Sequence, residues 1–315
     1  MHHPPNAPAG ALPRGYLRAT LARRHDVTPD LAVFWLRPER PVPFEAGQYV
    51  TLALPGADGR PVRRAYSVLS APHEPLLELF IERVEGGALT PSLFRLPEGA
   101  VVGLRPRAAG HFVRDPARHR HVCACTVTGV APFLSMLRHH AAARATGAEL
   151  PTERFLVLYG ASHAAELGPY ADELRRLARD ERGTHAGDMP WLVAVPTISR
   201  PWDNPGWTGE RGRVGDVLRK HLDATGWPPE TVAGYACGNP QMVANVRGLL
   251  ARAGLAPEHV HDELYYTEAT GTAAATATAT APAAALPAVA SPARTQEPAG
   301  RRPGEITLRS APRPR

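Results

Sequence analysis

The stretch RRAYSVLS, Arg63 to Ser70, decides how this chain is read. It has the length and apolar content of a strand, yet it carries two arginines, a tyrosine and two serines. Side chains two apart on a strand share a face, so Arg64 and Tyr66 point the same way. One reading is an edge strand with its arginines in water. The other is a ligand site, in which a guanidinium grips a pyrophosphate through paired N–H donors and the tyrosine offers a flat apolar ring with a polar tip. A flavin dinucleotide needs both.

Outward from this stretch, the chain from Tyr16 to about Asp115 shows short apolar runs: LAVFWLRP, QYVTLALP, LLELFIERV and AVVGLRPRA. Turn signals such as PGADGRP and EGG separate them, which predicts an antiparallel β-barrel or sandwich. From about His119 the pattern changes. Strand candidates HVCACTVTG, FLVLYGAS, WLVAVPTIS and VAGYACGN alternate with helical stretches, the mark of an α/β domain with a parallel sheet covered on both faces. The expected organisation is a mobile arm at 1–15, a β-barrel domain at 16–116, an α/β nucleotide-binding domain at 117–268 and a disordered Ala/Thr/Pro/Arg tail at 269–315. The tail has no bulky side chains to offset the entropy of ordering.

Composition bounds the function. The 315 residues, 43% hydrophobic, suffice for two cores. Lys220 is the one lysine among 36 basic residues, and much of the net charge of +6 falls in the tail. The remainder is mildly basic, which suits an acidic protein partner. Three cysteines exclude a disulfide framework and a four-thiolate iron–sulfur cluster. With no apolar signal at the N-terminus and no span apolar enough for a bilayer, a reducing, cytoplasmic location is expected. His119, His121, Cys123 and Cys125 alternate on one strand face, but they spread over more than about 15 Å, too far to share one ion, so no metal is expected.

Taken together, RAYS, FIERV with GGALTPSL, GHF at Gly110–Phe112, CTVTGVAPFLSML and CGNPQMV occur in the order and spacing of the bacterial ferredoxin–NADP reductase family, which this chain resembles over about residues 16–267. The resemblance implies a six-stranded antiparallel barrel holding FAD, followed by a parallel-sheet domain for NADP(H). Arg64, beside Ala65, would meet the FAD pyrophosphate, Tyr66 would stack on the isoalloxazine, and Ser67 would hydrogen-bond near N5. Phe80, Ile81 and Glu82 would lie along the adenylate and ribityl part. Ala88, Leu89 and Thr90 would complete the phosphate cradle.

In the second domain TVTGVAP, with Thr128 and Gly129, stands where a first βα turn holds phosphate. The family usually has glycine where Val127 stands. The matching cysteine, Cys237, would lie beside the nicotinamide, as a catalytic residue with Ser67. Ser199 and Arg200 match the family's pair for the ribose phosphate of NADP, and Arg213 a second arginine, while Ser162 replaces a third. Tyr265 and Tyr266 in HDELYYTEA match the aromatic segment that packs on the flavin. The implied activity is that of a ferredoxin–NADP(+) reductase with a ferredoxin or flavodoxin as partner. Alternatives are the reductase component of an oxygenase, a free flavin reductase, or a non-catalytic flavin-binding scaffold.

Overall fold

A computed structural model describes residues 14–265 apart from 57, 59, 147–152 and 180–189. The arm up to Pro13, the tail and Tyr266 lie outside the described residues.

Six strands form the first sheet: β1 (Leu17–Thr28), β2 (Leu31–Pro38), β3 (Tyr49–Pro55), β4 (Pro61–Ser67), β5 (Leu77–Glu82) and β6 (Val101–Leu104). Their order is β4-β3-β6-β1-β2-β5, antiparallel throughout. Alternation builds the interior, as in β1, where Leu17, Ala19 and Leu21 turn inward between outward Arg18 and Thr20. The RRAYSVLS stretch divides. Its strand ends at Ser67, and β4 is an edge strand on which Arg63, Arg64 and Ala65 are exposed. Beyond it Val68, Leu69 and Ser70 are buried, and Leu69 N donates to Glu78 O of β5 at 2.8 Å, closing the sheet towards its other edge. A single turn, α1 (Thr90–Leu93), packs Leu89 and Leu93 into the barrel core.

The second sheet is parallel: β7 (Arg120–Thr126), β8 (Arg154–Ala161), β9 (Leu192–Ile198), β10 (Glu210–Arg211), β11 (Val232–Gly238) and β12 (Val260–Leu264), in the order β10-β9-β8-β7-β11-β12. Helices α2 (Ala131–Ala145) and α3 (Tyr170–Ala178) pack on the face bearing Cys123, Cys125, Phe155 and Tyr159. Helices α4 (Val214–Thr225) and α5 (Pro240–Arg252) pack on the other, against Val122, Ala124, Leu156 and Leu158. Two covered faces explain why β7, β8 and β11 are nearly continuous apolar runs. The first of these cores continues into the barrel through Leu31, Val33, Leu69, Phe80 and Phe112, so the two halves share buried apolar surface. His121, Cys123 and Cys125 belong to this interior, and among the described residues no three such side chains gather as a metal site requires. Among the described residues, too, no helix is long and apolar enough to cross a membrane.

Candidate functional site

The strand order of the second sheet reverses beside β7, with β8 and β9 on one side and β11 and β12 on the other. Ligands of open α/β sheets bind outside the carboxyl ends of strands at such a point. Here the loops leaving β7 and β11 touch. A Cβ on Gly129 would stand 2.3 Å from Cys237 O, and one on Gly238 (φ +127°) 2.5 Å from Thr126 Oγ1. Thr126 Oγ1 also accepts from Asn239 N at 3.2 Å, and Asn239 in turn caps α5 by accepting from Gln241 N and Met242 N. Val127, at φ 45°, is the one non-glycine residue with positive φ among the described residues. For a β-branched side chain this conformation is strained.

Above these loops lies a cleft of about 500 Å³. Thr126, Thr128, Ser162, Ser199 and Arg213 line it, together with Glu82 of the barrel strand β5 and Tyr265 just after β12. Desolvation first, then Glu166 and Asp30, push the Glu82 carboxyl above its ordinary pKa.

Where the cleft meets β4, three side chains converge. Tyr265 OH donates to Ser67 Oγ at 2.7 Å, and Ser67 Oγ donates to Glu263 Oε1 at 2.6 Å. Tyr265 N donates to Gly238 O at 3.0 Å, next to the buried Cys237. Burial raises the pKa of Glu263, with the bond from Ser67 opposing it. Burial likewise pushes the Cys237 thiol and the Tyr265 phenol well up, so neither ionises near neutrality. Cys237 is fully buried, whereas Tyr265 lines the cleft. Cys237 is not among the residues lining the cleft, and its backbone carbonyl instead makes the close approach to Gly129.

Other expected residues divide. Arg64 is exposed on its edge strand, and Tyr66 is half-buried against the barrel core. The side chains of Phe80 and Ile81 do not face a ligand: Ile81 fills the barrel, and Phe80 packs edge-on against Tyr170 with ring centres 5.0 Å apart. Their backbone, on an edge strand, is what remains to line a cofactor. The Thr90 hydroxyl accepts from Val84 N at 2.9 Å and closes the local turn. The Leu89 side chain is inside the barrel, so the groups that could cradle phosphate here are the backbone N–H groups of Ala88, Leu89 and Thr90. Ser199 and Arg213 line the cleft, and Arg200, next to Ser199, is exposed.

The donor set suits a phosphate-bearing dinucleotide. Hydroxyls and amides stand over a floor where glycines let two loops meet, and Arg213 adds a cation. Glu263 was missed by the sequence reading. Its signal was the spacing E-x-Y, which puts Glu263 on the same strand face as Tyr265.

Residues 18–112 match the family described as oxidoreductase FAD-binding domain, and residues 124–248 the one described as oxidoreductase NAD-binding domain. Ferredoxin--NADP reductase B of Sorangium cellulosum is 38% identical over 232 residues, spanning 70% of this chain and 85% of that protein. Flavodoxin/ferredoxin--NADP reductase of Escherichia coli is 34% identical, spanning 69% and 83%, and the phenol 2-monooxygenase reductase component DmpP of a Pseudomonas species is 30% identical, spanning 81% and 67%. Among solved structures, a ferredoxin NADP+ reductase from Neisseria gonorrhoeae with bound FAD and NADP shares the fold, with a TM-score of 0.66 at 24% identity over 81% of this chain and 100% of that one.

Proposed function

Since this chain belongs to the ferredoxin–NADP reductase family of FAD- and NAD-binding oxidoreductases, we propose that it moves electrons between NADPH and a small acidic carrier, a ferredoxin or flavodoxin, in the cytoplasm. The observation that carries this reading is the meeting of Ser67, Glu263 and Tyr265 at the mouth of the nucleotide cleft. In this reading residues 16–116 hold FAD and 117–268 hold NADP(H), with Arg64 and Tyr66 gripping the flavin nucleotide and Ser199 and Arg213 recognising the ribose phosphate. Bound FAD supplies the conversion of one hydride, two electrons and a proton, into two single-electron transfers. The protein handles the proton left over. Ser67 Oγ hands it to Glu263 Oε1, whose raised pKa suits it to hold a proton nearer neutrality than an exposed glutamate would. Tyr265 lines the cleft and excludes water from its floor.

Charge on the barrel favours an acidic carrier. Register places Arg63, Ala53, Gly103 and Arg18 in one cross-strand row, with Arg105 beside Thr51 and Arg37 beside Thr20. All four arginines are exposed, and among the described residues none pairs with a carboxylate. Arg63, Ala65 and Ser67 share a face, so this row begins about 13 Å along β4 from Ser67. A carrier seated there would be near the site and steered to it. A second reading, delivery of electrons to an oxygenase, draws on the likeness to DmpP. All three cysteines are buried, so in either case the acceptor centre is not built on them.

The test is NADPH-dependent cytochrome c reduction by the FAD-loaded protein with and without ferredoxin or flavodoxin. Stimulation that weakens with salt is expected, and the double change Arg63→Glu, Arg105→Glu should abolish it while leaving ferricyanide reduction intact. Absence of stimulation by any acidic carrier refutes the reading.

A further inference from the structure

Arg138 sits two turns into α2, the helix that begins at Ala131, after a short turn through the cleft-lining residues Val127 and Thr128. Its guanidinium reaches in two directions. Nε and Nη2 donate to the two carboxylate oxygens of Glu173 on α3 at 2.7 and 2.9 Å, and Nη1 donates to Glu78 Oε2 on β5 at 2.7 Å. Glu74 Oε1 stands 3.4 Å from Nη1, and Tyr170 OH of α3 donates to the other Glu78 oxygen at 2.9 Å. Glu78 is buried, and the Arg138 side chain is only 17% exposed.

Glu78 is also tied to the segment that follows Ser67. Leu69 N donates to Glu78 O, Glu78 N donates to Ser70 Oγ at 3.1 Å, and Ser70 O accepts from Ser135 Oγ of α2 at 2.7 Å. One helix therefore holds the nucleotide loop at its start and, within eight residues, two polar ties to the segment following Ser67.

The apolar core shared by the two halves attracts without direction, so alone it would tolerate sliding. A planar guanidinium forked between carboxylates of both halves does not. Buried ionic networks add little net stability over a well-packed apolar contact, which leaves register as the physical use for this one. We propose that Arg138 is a positioning residue: it fixes the distance between the nucleotide loop and the Ser67 end of β4, and thereby the alignment needed for hydride transfer. This rests on the proposed function. Transfer of this kind needs reacting atoms about 3 to 3.5 Å apart, and a misplacement of about 1 Å lowers the rate about 100-fold.

The test compares wild type, Arg138→Met, Arg138→Lys and Glu78→Gln, each loaded with FAD. Glu78→Gln keeps the Arg138–Glu173 pair and guards against loss of folding in Arg138→Met. Single-turnover reduction by NADPH should slow about 10- to 100-fold in Arg138→Met and about 3- to 10-fold in Glu78→Gln, with Arg138→Lys recovering part of the loss. Affinity for adenosine 2′-monophosphate should stay unchanged. Amide hydrogen exchange at Leu69 and Glu78 should quicken with or without FAD. Wild-type reduction rates in both Glu78→Gln and Arg138→Met, with only the melting temperature lowered, would overturn the proposal. If wild type accepts no hydride from NADPH, the functional reading fails instead, and unchanged exchange in Arg138→Met still overturns the positioning role.

Discussion

Replacing Gly129 by alanine tests the contact on which the cleft is built. The added Cβ would stand 2.3 Å from Cys237 O, 2.7 Å from Cys237 C and 3.1 Å from Gly238 Cα, whereas ordinary contact begins near 3.4 Å. The neighbours are backbone, so no side chain can swing aside, and the two loops must part by about 1 Å. Overpacking of this kind costs about 1–3 kcal/mol. For a chain of this size that lowers the melting temperature by roughly 2–10 °C. The separation also moves the nucleotide loop from Cys237 and Ser67, so NADPH-driven reduction should fall about 100-fold. Gly226→Ala is the control. Gly226 has φ +62° and no neighbour within 4 Å, so alanine there costs about 1–2 kcal/mol through conformation alone. Scanning calorimetry and single-turnover kinetics should give similar melting losses for the two variants and a kinetic loss in Gly129→Ala alone. A Gly129→Ala protein that keeps wild-type reduction kinetics refutes the close-contact account.

Val127→Gly should leave stability within about 1 kcal/mol of wild type: relief of the positive-φ strain, about 1–3 kcal/mol, offsets about 1 kcal/mol of lost burial and a similar entropy cost. A urea-midpoint loss above about 2 kcal/mol would show that no strain is stored there. Glu263 has a folded pKa raised by burial, so its contribution to stability is fully present below the unfolded value and is lost as pH rises through the folded one. Glu263→Gln should therefore gain melting temperature relative to wild type between pH 5 and pH 8, while carrier-linked turnover falls about 100-fold; an advantage that shrinks with rising pH contradicts the shift. Arg213→Ala should raise KM for NADPH about 10- to 100-fold and leave KM for NADH unchanged. Arg200→Ala, at an exposed position outside the cleft lining, should do so less, and equal effects on the two coenzymes would remove either arginine from phosphate recognition.

The strands that could be read in advance are those whose burial has a simple period. β7, β8, β9 and β11 are apolar runs because both sheet faces are covered. β10 and β12 escaped because edge strands need little apolar content: Glu210–Arg211 and VHDEL are held by backbone pairing alone on one side. The cofactor motifs gave Ser67 and Tyr265 but not the depth of their neighbours. Whether Cys237 lines the cleft, and whether Phe80 and Ile81 point to a ligand or to a core, depends on which side of a strand another element covers. Arg138 was hidden for a related reason. Its partners Glu78 and Glu173 are 60 and 35 residues away, and no local pattern distinguishes a buried arginine on α2 from a solvated one.

Why arginine, tyrosine and serine crowd the end of β4 follows from where that strand lies. An edge strand has no ladder partner on one side, which leaves room there for residues of another sheet to close over its side chains. β4 is an edge of the barrel and β12 an edge of the parallel sheet, and Ser67 at the end of one bonds to Glu263 near the end of the other. Exposed edges invite unwanted pairing, and charge is a common defence. Arg63 and Arg64 keep the open part of β4 charged, while Ser67 is covered by Glu263 and Tyr265. The same physical need that loads the edge with guanidinium groups therefore places cations beside Ser67, where side chains of the two sheets meet.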